Sequence, residues 1–196
     1  MFTSGMNTDE VTCRKTLLEA NEQSPIKEIL EIAFQIATNE YEALDDGIPL
    51  ELEFATRSDA KAARDWVPKG NKDGYGNLPW EKAVSKSVYN SKRFVLAIRH
   101  NQELVGLVSG YVDLVNKRLV LSQIERDASK SSFEGRAIPF VSGLMYRISE
   151  VFDLEEIRIM EPAKRLIHRY KEFFLDAEEV EFRPPYLKVP VYELSG

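Results

Sequence analysis

The residues best suited to chemistry lie between positions 118 and 174. An apolar run, Arg118-Leu-Val-Leu-Ser-Gln-Ile-Glu125, feeds a polar segment, Arg126-Asp-Ala-Ser-Lys-Ser-Ser-Phe-Glu-Gly135-Arg-Ala137. Apolar residues of helical period follow at Ile138, Val141, Leu144, Met145, Ile148, Val151 and Phe152. A strand, a glycine-bearing loop and a helix start in that order make a site for an anion. The first N–H groups of a helix lack partners, and they point the same way as its positive dipole end. Gly135 has no Cβ to hold a ligand away from the backbone. Arg136 and Lys130 can neutralise a phosphate, while Glu134 opposes one. Pro139 falls in the first turn, where its missing N–H costs little.

Other chemistries find little support. Cys13 is the single cysteine, so the chain has no intrachain disulfide and no cysteine metal cluster. His100 and His168 are the only histidines, and neither has metal-ligand spacing to an acidic partner. His168 reads as a surface residue. There is no Gly-x-Ser-x-Gly elbow and no Walker loop. The net charge of −6 is unevenly spread. Residues 1–80 hold 8 Lys/Arg against 15 Asp/Glu, and residues 81–196 hold 18 against 17. That balance argues against a nucleic-acid partner and favours, weakly, a cationic one. No apolar run has the length of a membrane span, and the first ten residues do not read as a secretory signal, so the expectation is a cytoplasmic protein.

The elements that must position these residues follow from patterning. The 196 residues, 43% hydrophobic, suffice for one domain with a sizeable core. Residues 1–8 read as disordered and Asp9 to Glu22 as a helix. Ser24-Pro25 opens a second helix, with apolar residues from Ile26 to Leu44 at i, i+3, i+4 spacing. That apolar face needs either the main core or a second copy of the chain, so a homodimer is one expectation. A strand over Pro49 to Ala55, a helix over Thr56 to Val67 with Ser58 as N-cap, a Gly/Pro loop to Pro79 and a short helix over Trp80 to Tyr89 come next. Strands over Arg93 to Arg99, Leu104 to Val115 and Arg118 to Glu125, joined by tight turns, form an antiparallel meander. The pattern then alternates: helix, the strand Ile157 to Met160, a helix carrying Tyr170, and strands at Glu179 to Arg183 and Tyr186 to Leu194. The fold class is α+β, a three-layer arrangement of one mixed, twisted sheet with helices on both faces.

This order, from residue 50 to 194, resembles the GNAT acetyltransferase superfamily. Residues 1–47 then form an N-terminal helical extension and residues 48–196 the acyltransferase domain. The GNAT loop motif is Gln or Arg, two residues, Gly, one residue, then Gly or Ala. Ser132-Phe133-Glu134-Gly135-Arg136-Ala137 keeps the Gly and the Ala and has Ser132 for the Gln/Arg. The resemblance implies acetyl-coenzyme A as cofactor, with phosphates near Lys130, Ser132, Gly135, Arg136 and Ala137. It implies a pantetheine arm on the backbone of Ile124, Glu125 and Arg126.

The family's last-helix pattern, Asn-x-x-Ala-x-x-Leu-Tyr-x-x-x-Gly-Phe, aligns with Ala163 to Leu175 and places its tyrosine at Tyr170. The Asn, first Ala and Gly-Phe are replaced by Ala163, Leu166 and Phe174-Leu175. The implied roles are Tyr170 as general acid toward a departing thiolate and a carboxylate as base toward an amine. Glu125 is the first choice of base, with Glu103, Asp113 and Asp127 as alternatives. Gln123 stands where some relatives place an acid. The implied activity is acetyl transfer to an amine acceptor, and a cationic amine fits the charge asymmetry. The departures at Ser132, Ala163 and Phe174 leave an alternative: a GNAT-like binding or regulatory module without catalysis.

Overall fold

The computed structural model describes residues 25–44, 46–66 and 78–192. The segments expected to be disordered at 1–8, helical at 9–22 and loop at 68–77 lie outside the described residues. Helix α1 spans Pro25–Glu42, strand β1 Glu51–Phe54 and helix α2 Arg57–Ala62. Helix α3 is Trp80–Val88, and the meander is β2 Arg93–His100, β3 Glu103–Asp113 and β4 Arg118–Arg126. Then come α4 Ala137–Val151, β5 Glu156–Met160, α5 Ile167–Phe173, β6 Glu178–Val180 and β7 Tyr186–Pro190.

The seven strands form one sheet in the order β1-β2-β3-β4-β5-β7-β6. β4 and β5 pair in parallel, and every other neighbour pair is antiparallel. One face is covered by α1, α4 and α5, with Leu30, Phe34, Phe140, Leu144, Ile148 and, just past α5, Phe174 packed with Leu96, Ile98, Leu119 and Ile157. A smaller apolar cluster on the other face joins Ala60, Trp80 and Val84 to Val95, Ala97 and Leu107. This is the expected α+β arrangement with helices on both sides.

Two sequence expectations shift. The cap of α2 is Thr56 rather than Ser58. Thr56 has extended backbone and its hydroxyl accepts from the Asp59 N–H, while the Asp59 carboxylate accepts from the Thr56 N–H at 2.8 Å. Asp59 three residues on closes this reciprocal pair, which Ser58 could not do. The strand expected over 179–183 stops at Val180, before two prolines at 184 and 185 that cannot donate to a ladder.

The apolar face of α1 finds its partner within its own chain. Leu30, Ala33, Phe34, Ala37 and Tyr41 are buried. Tyr41 meets Phe140 edge-on at 5.1 Å between ring centroids, and Arg147 on α4 bonds Glu40 at 2.6 Å. A dimer is therefore not needed to cover this face.

Candidate active site

The site grows from an irregularity in β4. Opposite β3, Gln123 faces Ser109 while Leu121 faces Gly110, so Ser122 has no opposite number. This bulge reverses the alternation of β4. Val120 lies on the α3 face before it, and Gln123 and Glu125 lie on that face after it. Gly110 permits it, since a Cβ there would sit 2.3 Å from the Val120 carbonyl oxygen. Here the sequence did hold a signal: an isolated glycine in a strand often marks a bulge.

β4 also parts from β5 at this point. Their parallel pairing runs from Arg118↔Glu156 to Leu121↔Ile159 and ends. Beyond Leu121, β4 continues to Arg126 on β3 alone, so one edge of Ser122 to Arg126 faces no strand. β5 ends at Met160, and Glu161 turns away with φ 45°. A cleft of about 180 Å³ opens between them, walled by Ser122, Gln123, Ile124, Met160, Leu166 and Tyr170.

Tyr170 comes from α5 and is 4% exposed. Its ring lies 6.2 Å from that of Phe174, also buried. Arg169 and Lys171, its sequence neighbours, bond Glu172 and Glu179. His168 is exposed, in keeping with the surface reading.

Glu125 stands next to Ile124 on the α3 face. The buried Trp80 indole N–H donates to its carboxylate at 2.5 Å. This short, charge-assisted bond fixes the carboxylate toward the start of α3. Spacing carries no signal of it, since the partners are 45 positions apart. The alternative bases have other partners. Glu103 bonds Lys130 at 2.8 Å, and Asp113 bonds Arg118 at 2.8 Å and Asn116. Asp127, 7% exposed, accepts from the N–H and hydroxyl of Ser129.

The loop from Arg126 to Ala137 is held by Phe133, which is fully buried and 6.3 Å from Phe140 between centroids. Gly106 leaves room for it: a Cβ there would meet the Phe133 ring at 3.2 Å. Gly135 has φ +75°, and nothing lies within 4 Å of where its Cβ would be. Arg136 is the N-cap of α4, and no side chain caps this end. The Ala137 and Ile138 N–H groups thus receive no side-chain cap, and the space at Gly135 just before them is open, which suits an anion. The basic residues expected there are all engaged: Lys130 with Glu103, Arg126 with Glu134 at 3.1 Å, and Arg136 with the Asp46 carbonyl and its carboxylate. Ser132 lies in the turn Ser131–Phe133, exposed. The structure thus gathers Ile124 and Tyr170 on one cleft, Glu125 on its α3 side, and Lys130 to Ala137 at the start of α4.

No group of His, Cys, Asp and Glu among the described residues could hold a metal ion. No helix among them is long and apolar enough to cross a membrane.

A mixed sheet whose parallel pair splays beside an uncapped helix start defines the GNAT fold, and this chain has it. Among solved structures it is similar to a chimera of the Vibrio cholerae spermidine N-acetyltransferase SpeG with hSSAT, at 16% identity and TM-score 0.52, covering 72% of this chain and 94% of that one. A point mutant of SpeG gives 13% identity and TM-score 0.53 over 72% and 93%. An uncharacterized protein from Bacillus halodurans gives 14% and 0.55 over 72% and 83%. No protein-family model matches the chain, and no curated protein matches it by sequence.

Proposed function

We propose that the chain acts in the cytoplasm as an N-acetyltransferase that moves an acetyl group from acetyl-coenzyme A to an amine. In this reading residues 48–196 carry the transferase and residues 1–47 extend it. The observation that supports it best is the parting of β4 from β5, with Tyr170 on the wall of the cleft so formed. Three features fit the cofactor: the stretch of β4 that runs on past its last pair with β5, the open space at Gly135, and the absence of a side-chain cap on α4. Lys130, Ser132, Arg136 and Ala137 would surround its phosphates. When bound, acetyl-coenzyme A supplies an acetyl group activated as a thioester.

The chain's own residues then divide the proton work. The Glu125 carboxylate, oriented by Trp80, takes a proton from the acceptor ammonium. Backbone N–H groups at the bulge serve as donors to the oxygen that gains charge during transfer. The Tyr170 hydroxyl gives its proton to the departing thiolate.

Calorimetric titration with acetyl-coenzyme A tests the reading, with Gly135→Asp and Gly135→Asn as a pair. Both variants meet the same φ +75° backbone and differ in charge. Micromolar binding in the wild type, weakened far more by Asp than by Asn, is expected. No binding at millimolar cofactor would overturn it. An acceptor screen would follow, including spermidine, the acceptor named for SpeG. One observation favours a second reading, a scaffold without turnover: each cation near the start of α4 is bonded to a neighbouring oxygen. Cofactor binding with no transfer to any amine would select it.

A further inference from the structure

A second cleft, of about 240 Å³, opens on the α3 face of the sheet. Lys82 and Lys86, one helical turn apart, border it from α3, and Arg93 borders it from β2. Ser109, Ser122 and Gln123 form its polar floor, and among the described residues no Asp or Glu lines it. Ser122 and Gln123 also wall the cleft between β4 and β5, so both spaces border the bulge. The strand that would hold a thioester thus also borders a cleft lined by three cations.

Several cations of the chain stand outside its ion pairs, these three among them, and Lys82 and Lys86 are exposed. Arg99, Arg118, Arg126, Arg136, Arg147 and Arg158 are all ion-paired. Lys82, Lys86 and Arg93 form no ion pair among the described residues, and Arg93 only rests on the Tyr111 ring, 5.1 Å away. Four acidic residues of the N-terminal half lie elsewhere. Glu31, Glu42, Glu51 and Glu53 border a groove between α1 and β1, with α1 on the opposite face of the sheet. The charge asymmetry of the sequence therefore does not describe this chamber.

The geometry points to an acceptor that carries an anionic group, carboxylate or phosphate, together with its amine, the anion held by Lys82, Lys86 and Arg93. This rests on the acetyl-transfer reading above and names its substrate class. The chamber holds the volume of roughly eight waters at ~30 Å³ each, which suits a small molecule. The same cations disfavour a charged ammonium nearby and so favour the neutral amine that must attack. A polyamine, positive throughout, meets repulsion here.

Matched acceptors test the assignment: glucosamine 6-phosphate against glucosamine, and L-glutamate against L-glutamine. Each is titrated calorimetrically into wild type, Lys82→Gln/Lys86→Gln and Gly135→Asp, and each is assayed for thiol release from acetyl-coenzyme A. The expected result is about tenfold or greater preference for one anionic member in the wild type, lost in the lysine variant and kept in Gly135→Asp. Acetyl-coenzyme A should bind the lysine variant as it binds the wild type. Which pair shows the preference tells phosphate from carboxylate. Equal binding within both pairs, a preference that survives in the lysine variant, or spermidine as the favoured acceptor would overturn the assignment. Anion binding lost only in Gly135→Asp would place the anion at the α4 loop and also overturn it. Failure of acetyl-coenzyme A to bind would sink the transferase reading instead, and the acceptor titrations would still report on the chamber.

Discussion

Glu134→Gln should tighten the binding of acetyl-coenzyme A. The Glu134 carboxylate lies one residue before Gly135 and holds Arg126 at 3.1 Å. Arg126 is 18% exposed on its side chain and Glu134 is 57% exposed, so the pair is half-wet and contributes about 0.2–1 kcal/mol. Glutamine removes that competitor for Arg126 and also removes a negative charge beside an anion site. A like charge a few ångströms off in a water-like medium costs about 1 kcal/mol. Together the gain is about 1–2 kcal/mol, or roughly five- to thirtyfold in Kd at low salt. The assay is calorimetry at ~0.05 M and ~0.5 M salt, since the Debye length shortens severalfold over that range. The advantage should shrink at high salt. Unchanged or weaker binding, or a gain indifferent to salt, would refute the placement of phosphates at this loop.

Other expectations concern catalysis and stability. Tyr170→Phe should lower kcat by about 10²–10⁴-fold and leave acetyl-coenzyme A affinity unchanged, as stopped-flow thiol release and calorimetry would show. Full activity in that variant would remove Tyr170 from the proton pathway. Ser149 is fully buried on α4, and its hydroxyl has no hydrogen-bond partner among the described residues. Ser149→Ala should therefore raise stability by up to about 1 kcal/mol, or about 2–4 °C in Tm, and a fall would contradict the reasoning. At Asp59, burial opposes the charged form, but bonds from Thr56 and Arg99 outweigh it and hold the carboxyl below its usual range. Its folded pKa lies below the unfolded value of about 3.9, so its stabilisation is complete above that pH and is lost as pH falls through the folded value. Asp59→Asn should lower stability at neutral pH and flatten the acid limb of a urea-melt series, and an unchanged limb would count against it.

Patterning carried the element order far because helical period and strand alternation are local properties. The meander, the long helix α4 and the placement of Tyr170 on a late helix were legible that way. What depended on partners distant in sequence was not. The Trp80 bond to Glu125 and the Asp46 tie to Arg136 leave no trace in spacing. The bulge at Ser122 decides the face on which Gln123 and Glu125 sit, and strand alternation read without it assigns the wrong one. Net charge by halves of the chain is silent on placement for a similar reason: the acidic groove at α1 and β1 and the cations beside α3 lie on opposite faces of the sheet.

The burial of α1 against α4 bears on the entropy of ligand capture. α4 is packed on the sheet and flanked by α1, with Tyr41 against Phe140 near its start and Glu40 bonded to Arg147 further along. Its opening amides are thus rigid before any anion arrives, and little conformational freedom remains there to be lost. On the proposed cofactor site, what must rearrange is confined to the side chains of Arg126, Lys130 and Arg136, each of which would exchange one oxygen partner for another. Selectivity at this end of the helix is then a competition among acceptors for three cations on a scaffold already in place.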